Sequence, residues 1–354
     1  MKRYFVILAA MLLVAAIAAP SFAGVEFKYG GLYRARMQAQ DNMTDGSDDT
    51  DDQSFWIDQR LRMFFSFIAS ERLQLVTKWE ADTLWGNETT GAGRSGGGDV
   101  GADATNLEMK NVYIDFLIPQ TPLRASVGVQ GIAAMKGWLV DDDFSAAVVS
   151  TKFDPFAFRL GYIAARNEDV TTTDENIDDI LMGVDYAAGP FSASLYGLWQ
   201  NGHDTPVSTQ FLVSPNTGSF SDAGSPWRQI SPTAAVRSTA GFDALNATGL
   251  VDDNQLFDIG LSLGYKMDWF NVFINYVQNL GSYDTNFAFA GAPEDSYDYT
   301  GFMVEAGANF TFDPFTFTVG GFYTSGDDDY TDDEDEAFRY ARGASHYWSE
   351  IMGL

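Results

Sequence analysis

Residues 310–336, FTFDPFTFTVGGFYTSGDDDYTDDEDE, set an alternating aromatic stretch, an Asp-Pro turn, a second alternating stretch and eight acidic residues among ten side by side. Period two sends successive side chains to opposite faces of a strand. Phe317, Val319, Gly321 and Tyr323 therefore share one face, and Thr316, Thr318 and Thr324 the other. Pro314 supplies the fixed φ of a tight turn between Phe312 and Phe315. The stretch reads as a hairpin, greasy on one side and polar on the other, that delivers its far end into an acidic exterior. A soluble core has no use for so many outward aromatics, and a disordered acidic tail has no use for the hairpin.

The same alternation runs through the chain. In residues 24–40, Val25, Phe27, Tyr29, Tyr33, Ala35 and Met37 oppose Glu26, Lys28, Arg34, Arg36, Gln38 and Gln40. In 254–267, Phe257, Ile259, Leu261, Leu263 and Tyr265 oppose Asp258, Gly260, Ser262, Gly264 and Lys266. Connections come in two alternating kinds. The short ones lie at 69–73, 118–123, 153–156, 187–191, 267–270 and 312–315; the long polar ones at 41–53, 87–105, 131–143, 167–178, 201–254, 280–297 and 325–344. Short turns at one end and long loops at the other describe an up-and-down meander. Counting a last strand from Ser345 predicts fourteen strands. Between Leu107 and Ile118 the polar phase of Glu108 and Lys110 gives way to the apolar phase of Val112, Ile114 and Phe116, which predicts a bulge or a slipped strand boundary.

The N-terminus has the three parts of a secretory signal peptide: Lys2 and Arg3, an apolar run from Phe5 to Ile17, and small Ser21 and Ala23 before a cleavage point. We expect residues 1–23 to be removed and 24–354 to form the folded protein. There is no cysteine, so no disulfide framework is open to it. Losing the leader takes the formal net charge from −28 to −30, which argues against nucleic acid as a partner. Mean hydropathy is −0.13. After the leader no apolar run is long enough for a membrane helix, so entry into a bilayer would have to use strands.

A strand-built wall with this many strands removes its edges by closing. Phe153, Phe156, Phe191, Trp269, Phe270, Phe312 and Phe315 sit beside the short turns, and Tyr33, Trp79, Trp85, Trp199, Tyr283, Tyr299 and Tyr323 lie toward the other strand ends. Two aromatic belts with smaller apolar residues between them fit a bilayer better than a single core. The chain thus resembles the porin-type outer-membrane β-barrels of Gram-negative bacteria. The resemblance implies an all-β, antiparallel, up-and-down transmembrane barrel of about 14 to 16 strands. It also implies a passive pore for small hydrophilic solutes or ions, contact with outer-membrane lipid and lipopolysaccharide, and a homotrimer. Such barrels usually end on an aromatic residue, whereas ASHYWSEIMGL ends at Leu354 and alternates poorly. We therefore expect the chain to stop short of one or more strands.

Fourteen of the nineteen Lys and Arg residues after position 23 fall between Lys28 and Arg166. Arg34, Arg36, Arg60, Arg62, Lys78, Arg124 and Arg159 share the polar phase of their strands with Asp58, Glu80 and Asp82, and are the candidate pore lining. In porins a basic ladder faces acids on the third external loop. The matching loop here is GIAAMKGWLVDDD, with Asp141, Asp142 and Asp143 at its end. The simpler reading is that these charges pair across neighbouring strands in a wet interior. The acidic runs of the long loops read as solvated surface. The literal G-x-G-x-x-G at 91–96 has no helix after it, and two loop histidines give zinc or His-based catalysis little material. We expect no cofactor, metal or enzymatic activity. The alternative that the sequence leaves open is a non-conducting barrel serving as an anchor or partner-binding scaffold.

Overall fold

A computed structural model describes residues 24–40, 54–87, 98–100, 105–166, 177–205, 251–285, 296–327 and 332–341. The predicted leader, most of the long loops and the expected strand from Ser345 lie outside these residues. The strands are β1 (Glu26–Gln40), β2 (Ser54–Ser70), β3 (Leu73–Leu84), β4 (Glu108–Leu117), β5 (Arg124–Ala134), β6 (Val140–Phe153), β7 (Phe156–Arg166), β8 (Ile177–Ala188), β9 (Phe191–Thr205), β10 (Val251–Lys266), β11 (Phe270–Thr285), β12 (Ser296–Tyr299), β13 (Phe302–Phe312), β14 (Phe315–Thr324) and β15 (Glu334–Asp335). One 3-10 turn, η1 (Met135–Gly137), is the only helical element among the described residues.

Each strand from β1 to β11 pairs antiparallel with the next, so the sheet is one continuous meander. β12 and β13 are two halves of a single path along β11, interrupted at Thr300 and Gly301. β14 pairs with β13, and two-residue β15 lies parallel to β12. Thirteen full strands therefore cross the wall among the described residues. All six short connections fall where alternation breaks in the sequence, and both Phe-Asp-Pro-Phe turns carry a cis Asp–Pro bond. Several long connections are shorter than the sequence predicts, that at 280–297 because β11 runs to Thr285 and β12 starts at Ser296. Residues 131–134 and 140–143 belong to β5 and β6, leaving only 135–139 between them, and β9 and β10 stay paired up to Thr205 and Val251.

The faces follow the registers. Arg34 opposite Arg60, Arg60 opposite Asp82 and Lys78 opposite Asn111 carry one inward face through β1 to β4. The expected bulge lies at Lys110, where Lys78 pairs with Asn111 and Trp79 with Met109. That extra residue keeps Glu108 and Asn111 inward while moving Val112, Ile114 and Phe116 outward. Outward positions remain exposed and apolar, among them Leu160, Leu195, Leu261, Phe317 and Val319. Beside the short turns, Phe153, Phe156, Phe191, Trp269, Phe312 and Phe315 form the exposed aromatic belt read from the sequence, and Tyr33, Trp85, Trp199 and Tyr323 are exposed toward the other end. Tyr283 and Tyr299 do not belong to the outer belt. They are buried on the inward face, where Tyr283 packs on Tyr297 and Tyr299 with ring centroids 5.3 and 5.1 Å away.

The core sits on this inward face. From Gln130 upward β5 no longer pairs with β4, while β5 and β6 stay paired with each other to the tip. The tip of the β5–β6 hairpin lies against strands far along the sheet. Met135, Trp138, Leu139 and Val140 are buried together with Ile163, Leu181, Leu198, Leu256, Val277 and Met303, which come from β7 to β13. Gly260 makes room for the tip, since a Cβ there would lie 3.1 Å from both Leu139 and Met135.

Candidate pore lining and constriction

The inward residues of β1 to β4 build a ladder of charge. Arg36 donates to Asp58 at 3.1 Å, with the Arg34 guanidinium 3.9 Å from the same carboxylate. Arg60 makes a two-pronged contact with Asp82 at 2.7 Å through both nitrogens, the fork geometry that suits guanidinium and carboxylate. Arg62 pairs with Glu80. Glu80 is only 1% exposed and is also approached by Arg60 at 3.6 Å and Lys110 at 3.8 Å, so three cations surround one carboxylate. Lys110 also reaches Glu108 at 3.1 Å.

Alternation along single strands identifies which residues share a face, and cross-strand register then sets the pairs. Arg34, Arg36, Arg60, Arg62, Lys78 and Lys110 are six cations against the five carboxylates Asp58, Glu80, Asp82, Glu108 and Asp143. The ladder is thus close to neutral.

The structure places the other candidate residues unequally. Arg124 pairs with Asp115 on the neighbouring strand, and Arg159 donates to the Ala133 carbonyl at 3.2 Å, tying β7 to the hairpin. Asp141, Asp142 and Asp143 lie at the start of β6 rather than on the connection. Of the three, Asp143 meets the ladder. It accepts from Lys78 Nζ at 2.9 Å and from Asn111 Nδ2 at 2.7 Å, joining the hairpin to β3 and β4.

At its tip the hairpin meets the opposite wall. Trp138 Nε1 donates to Glu305 of β13 at 3.1 Å, and Asn275 of β11 donates to the same carboxylate at 2.6 Å. Lys136 Nζ stands 3.5 Å from Glu305 and sits over the Phe273 ring. Lys136 lies on the connection, outside the strands. Burial lowers its pKa, and the nearby Glu305 carboxylate opposes that shift. Glu108, Lys110, Lys136, Trp138 and Glu305 were absent from the sequence-derived candidates. The inward phase of Glu108 and Lys110 was visible in the sequence, but nothing local marks Glu305 as the partner of a residue 167 positions away.

A hairpin strapped between β3–β4 and β11–β13 therefore divides the inward face. Toward β7–β13 the space is packed, with an apolar layer around the hairpin tip and buried polar groups beside it, among them Asp179, Gln200, Asp258 and Asn279. Toward β1–β4 it is lined by partly exposed charges, with the Arg62 side chain 33% accessible. Within the acidic run 327–336, Asp333 and Glu334 are exposed as expected, whereas Asp327 and Asp335 are buried, Asp335 in an ion pair with Arg339 at 2.8 Å.

No protein-family model matches the sequence, and no curated protein matches it. Among solved structures, the chain is similar to a loop-L8 deletion form of OmpT, an outer membrane protein of Vibrio cholerae. The two share 13% identity over 85% of this chain and 81% of that one, with a TM-score of 0.46. It is also similar to a porin (13% identity, 84% and 94% of the two chains, TM-score 0.35) and to OmpF of Salmonella typhi in complex with daunomycin (11%, 85% and 89%, TM-score 0.34). The architecture is an all-β, antiparallel, up-and-down meander. That statement concerns the fold, and it rests on the strand pairing, the two-faced strands and the alternation of short and long connections.

Proposed function

We propose that this protein is an outer-membrane channel for passive diffusion of small hydrophilic solutes or ions, and that its water-filled path runs beside β1–β4. One observation carries the reading: the hairpin and its apolar partners occupy the inward face of β7–β13, while the charged residues of β1–β4 keep partial access to solvent. A packed apolar half and a wet charged half on one wall are what a constricted pore requires. Chemistry enters only as electrostatics, since water and solutes need no bond made or broken to pass. On this reading the leader is cleaved, the short turns face the periplasm, and the assembly is a homotrimer like other porins.

The ladder sets ion preference. Removing Arg60 and Arg62 changes its balance from six cations against five carboxylates to four against five. The Arg60→Ala/Arg62→Ala double variant should therefore move the reversal potential in a salt gradient toward cations, and the shift should fade as salt rises. An unchanged reversal potential would remove the ladder from the path. The second reading, a non-conducting barrel that anchors or scaffolds, draws on the extent of apolar packing around Trp138. A folded, inserted protein that stays electrically silent would favour it.

A further inference from the structure

The chain does not simply leave the wall after β14. It turns at Ser325, returns as β15 beside β12, with Asp298 opposite Glu334 and Tyr299 opposite Asp335, and then runs onto the inward face. Ala337, Phe338, Arg339 and Ala341 are all buried there. Phe338 and Tyr340 pack on Trp138 of the hairpin, Tyr340 stacked at 5.9 Å with ring planes 12° apart. Burial pushes the Tyr340 phenol well above its ordinary pKa.

We propose that Glu334–Ala341 is a displaceable plug, docked over the constriction hairpin, that closes the half of the interior next to β11–β14. This rests on the channel reading above.

Its attachments are specific, and much of the segment is buried. The Asn279 side chain clasps the backbone of Arg339 from both sides, donating to its carbonyl at 3.0 Å and accepting from its N–H at 2.6 Å. The Arg339 guanidinium forms a fork on Asp335, at 2.8 Å through both nitrogens, within the segment itself. Ser325 Oγ donates to the Glu336 carbonyl at 2.6 Å, and the Phe338 N–H donates to the Ser325 carbonyl at 3.1 Å. Gly301, at the break between β12 and β13, permits the close approach. A Cβ there would lie 2.3 Å from the Ala337 carbonyl oxygen. Only two ladder pairs join the segment to the sheet, whereas β14 has ten with β13. Elements held by few backbone pairs open at a lower free energy than the strands they cover. The segment can thus leave while the wall stays intact, uncovering Trp138 and the inward face of β11.

The test uses the full chain, with Asn279→Ala, which releases the clasp and also removes the donor to Asp258 on β10, and Tyr340→Ala, which removes the stacking without touching a strand. Each variant is first checked as a folded barrel by its heat-modifiable gel mobility, then recorded as single channels in planar bilayers. The plug predicts conductance steps roughly twofold larger than the parent's in both variants, because conductance follows the open cross-section of the pore. A parent that conducts beside folded variants with identical steps overturns the plug and leaves the channel reading standing. A silent parent beside conducting variants supports the plug and shows that the parent channel is closed at rest. Silence in all three overturns both.

Discussion

Glu80 shows what one residue contributes. Its carboxylate is buried among Arg60, Arg62 and Lys110, and a single truncation leaves three partly desolvated cations facing one another. Glu80→Ala should destabilise the folded protein by about 1–3 kcal/mol, read as a lower temperature for the shift in heat-modifiable mobility, with Glu80→Gln recovering part of the loss. At this scale the sequence was partly legible. Period two placed Arg34, Arg36, Asp58, Arg60, Arg62, Lys78, Glu80 and Asp82 on one face, and the structure puts them there. It did not reveal which cation meets which carboxylate. That depends on register between strands, which alternation within one strand does not encode. Glu305 was illegible for the same reason, since its partners Trp138 and Lys136 come from the far side of the interior.

The strands themselves were readable because a half-buried surface imposes a period. All six short turns and the bulge in β4 came from breaks in that period, and the bulge corresponds to one inserted residue, Lys110. The hairpin tip was not readable. AAMKGWLVDDD shows no clear alternation because Gly137, Trp138, Leu139 and Val140 are buried in succession at the tip while Asp141 and Asp142 are both exposed, so it resembles a loop although both its ends are strand. The Asp141–Asp143 run disguised the start of β6 in the same way. The two faces of a regular element make opposite demands, which β14 tests well. Val319→Arg, on the outward face, should cost about 2–4 kcal/mol near the bilayer midplane. Thr318→Arg, one residue away on the inward face, should stay within about 1 kcal/mol of the parent. Urea titrations of both variants in vesicles provide the comparison, and equal costs would mean that the faces are misassigned.

The molecule as a whole joins an outward apolar surface with two aromatic belts, an inward surface divided by a hairpin, and a strongly acidic chain of net charge −28. The orientation proposed for the channel puts the short turns in the periplasm and the long connections outside. Because the chain has no native cysteine, single cysteines report cleanly. Glu334→Cys should react with a membrane-impermeant maleimide on whole cells and Asp313→Cys should not. The reverse pattern would invert the barrel.

Current block in planar bilayers distinguishes the proposed water-filled path beside β1–β4 from the packed half opposite. Ser66→Cys lies on the same inward face as Lys28 and Arg62, while Val277→Cys lies in the buried apolar half. Adding a charged methanethiosulfonate reagent should cut the current through Ser66→Cys channels and leave Val277→Cys channels unchanged. Block at Val277 with none at Ser66 would contradict the account.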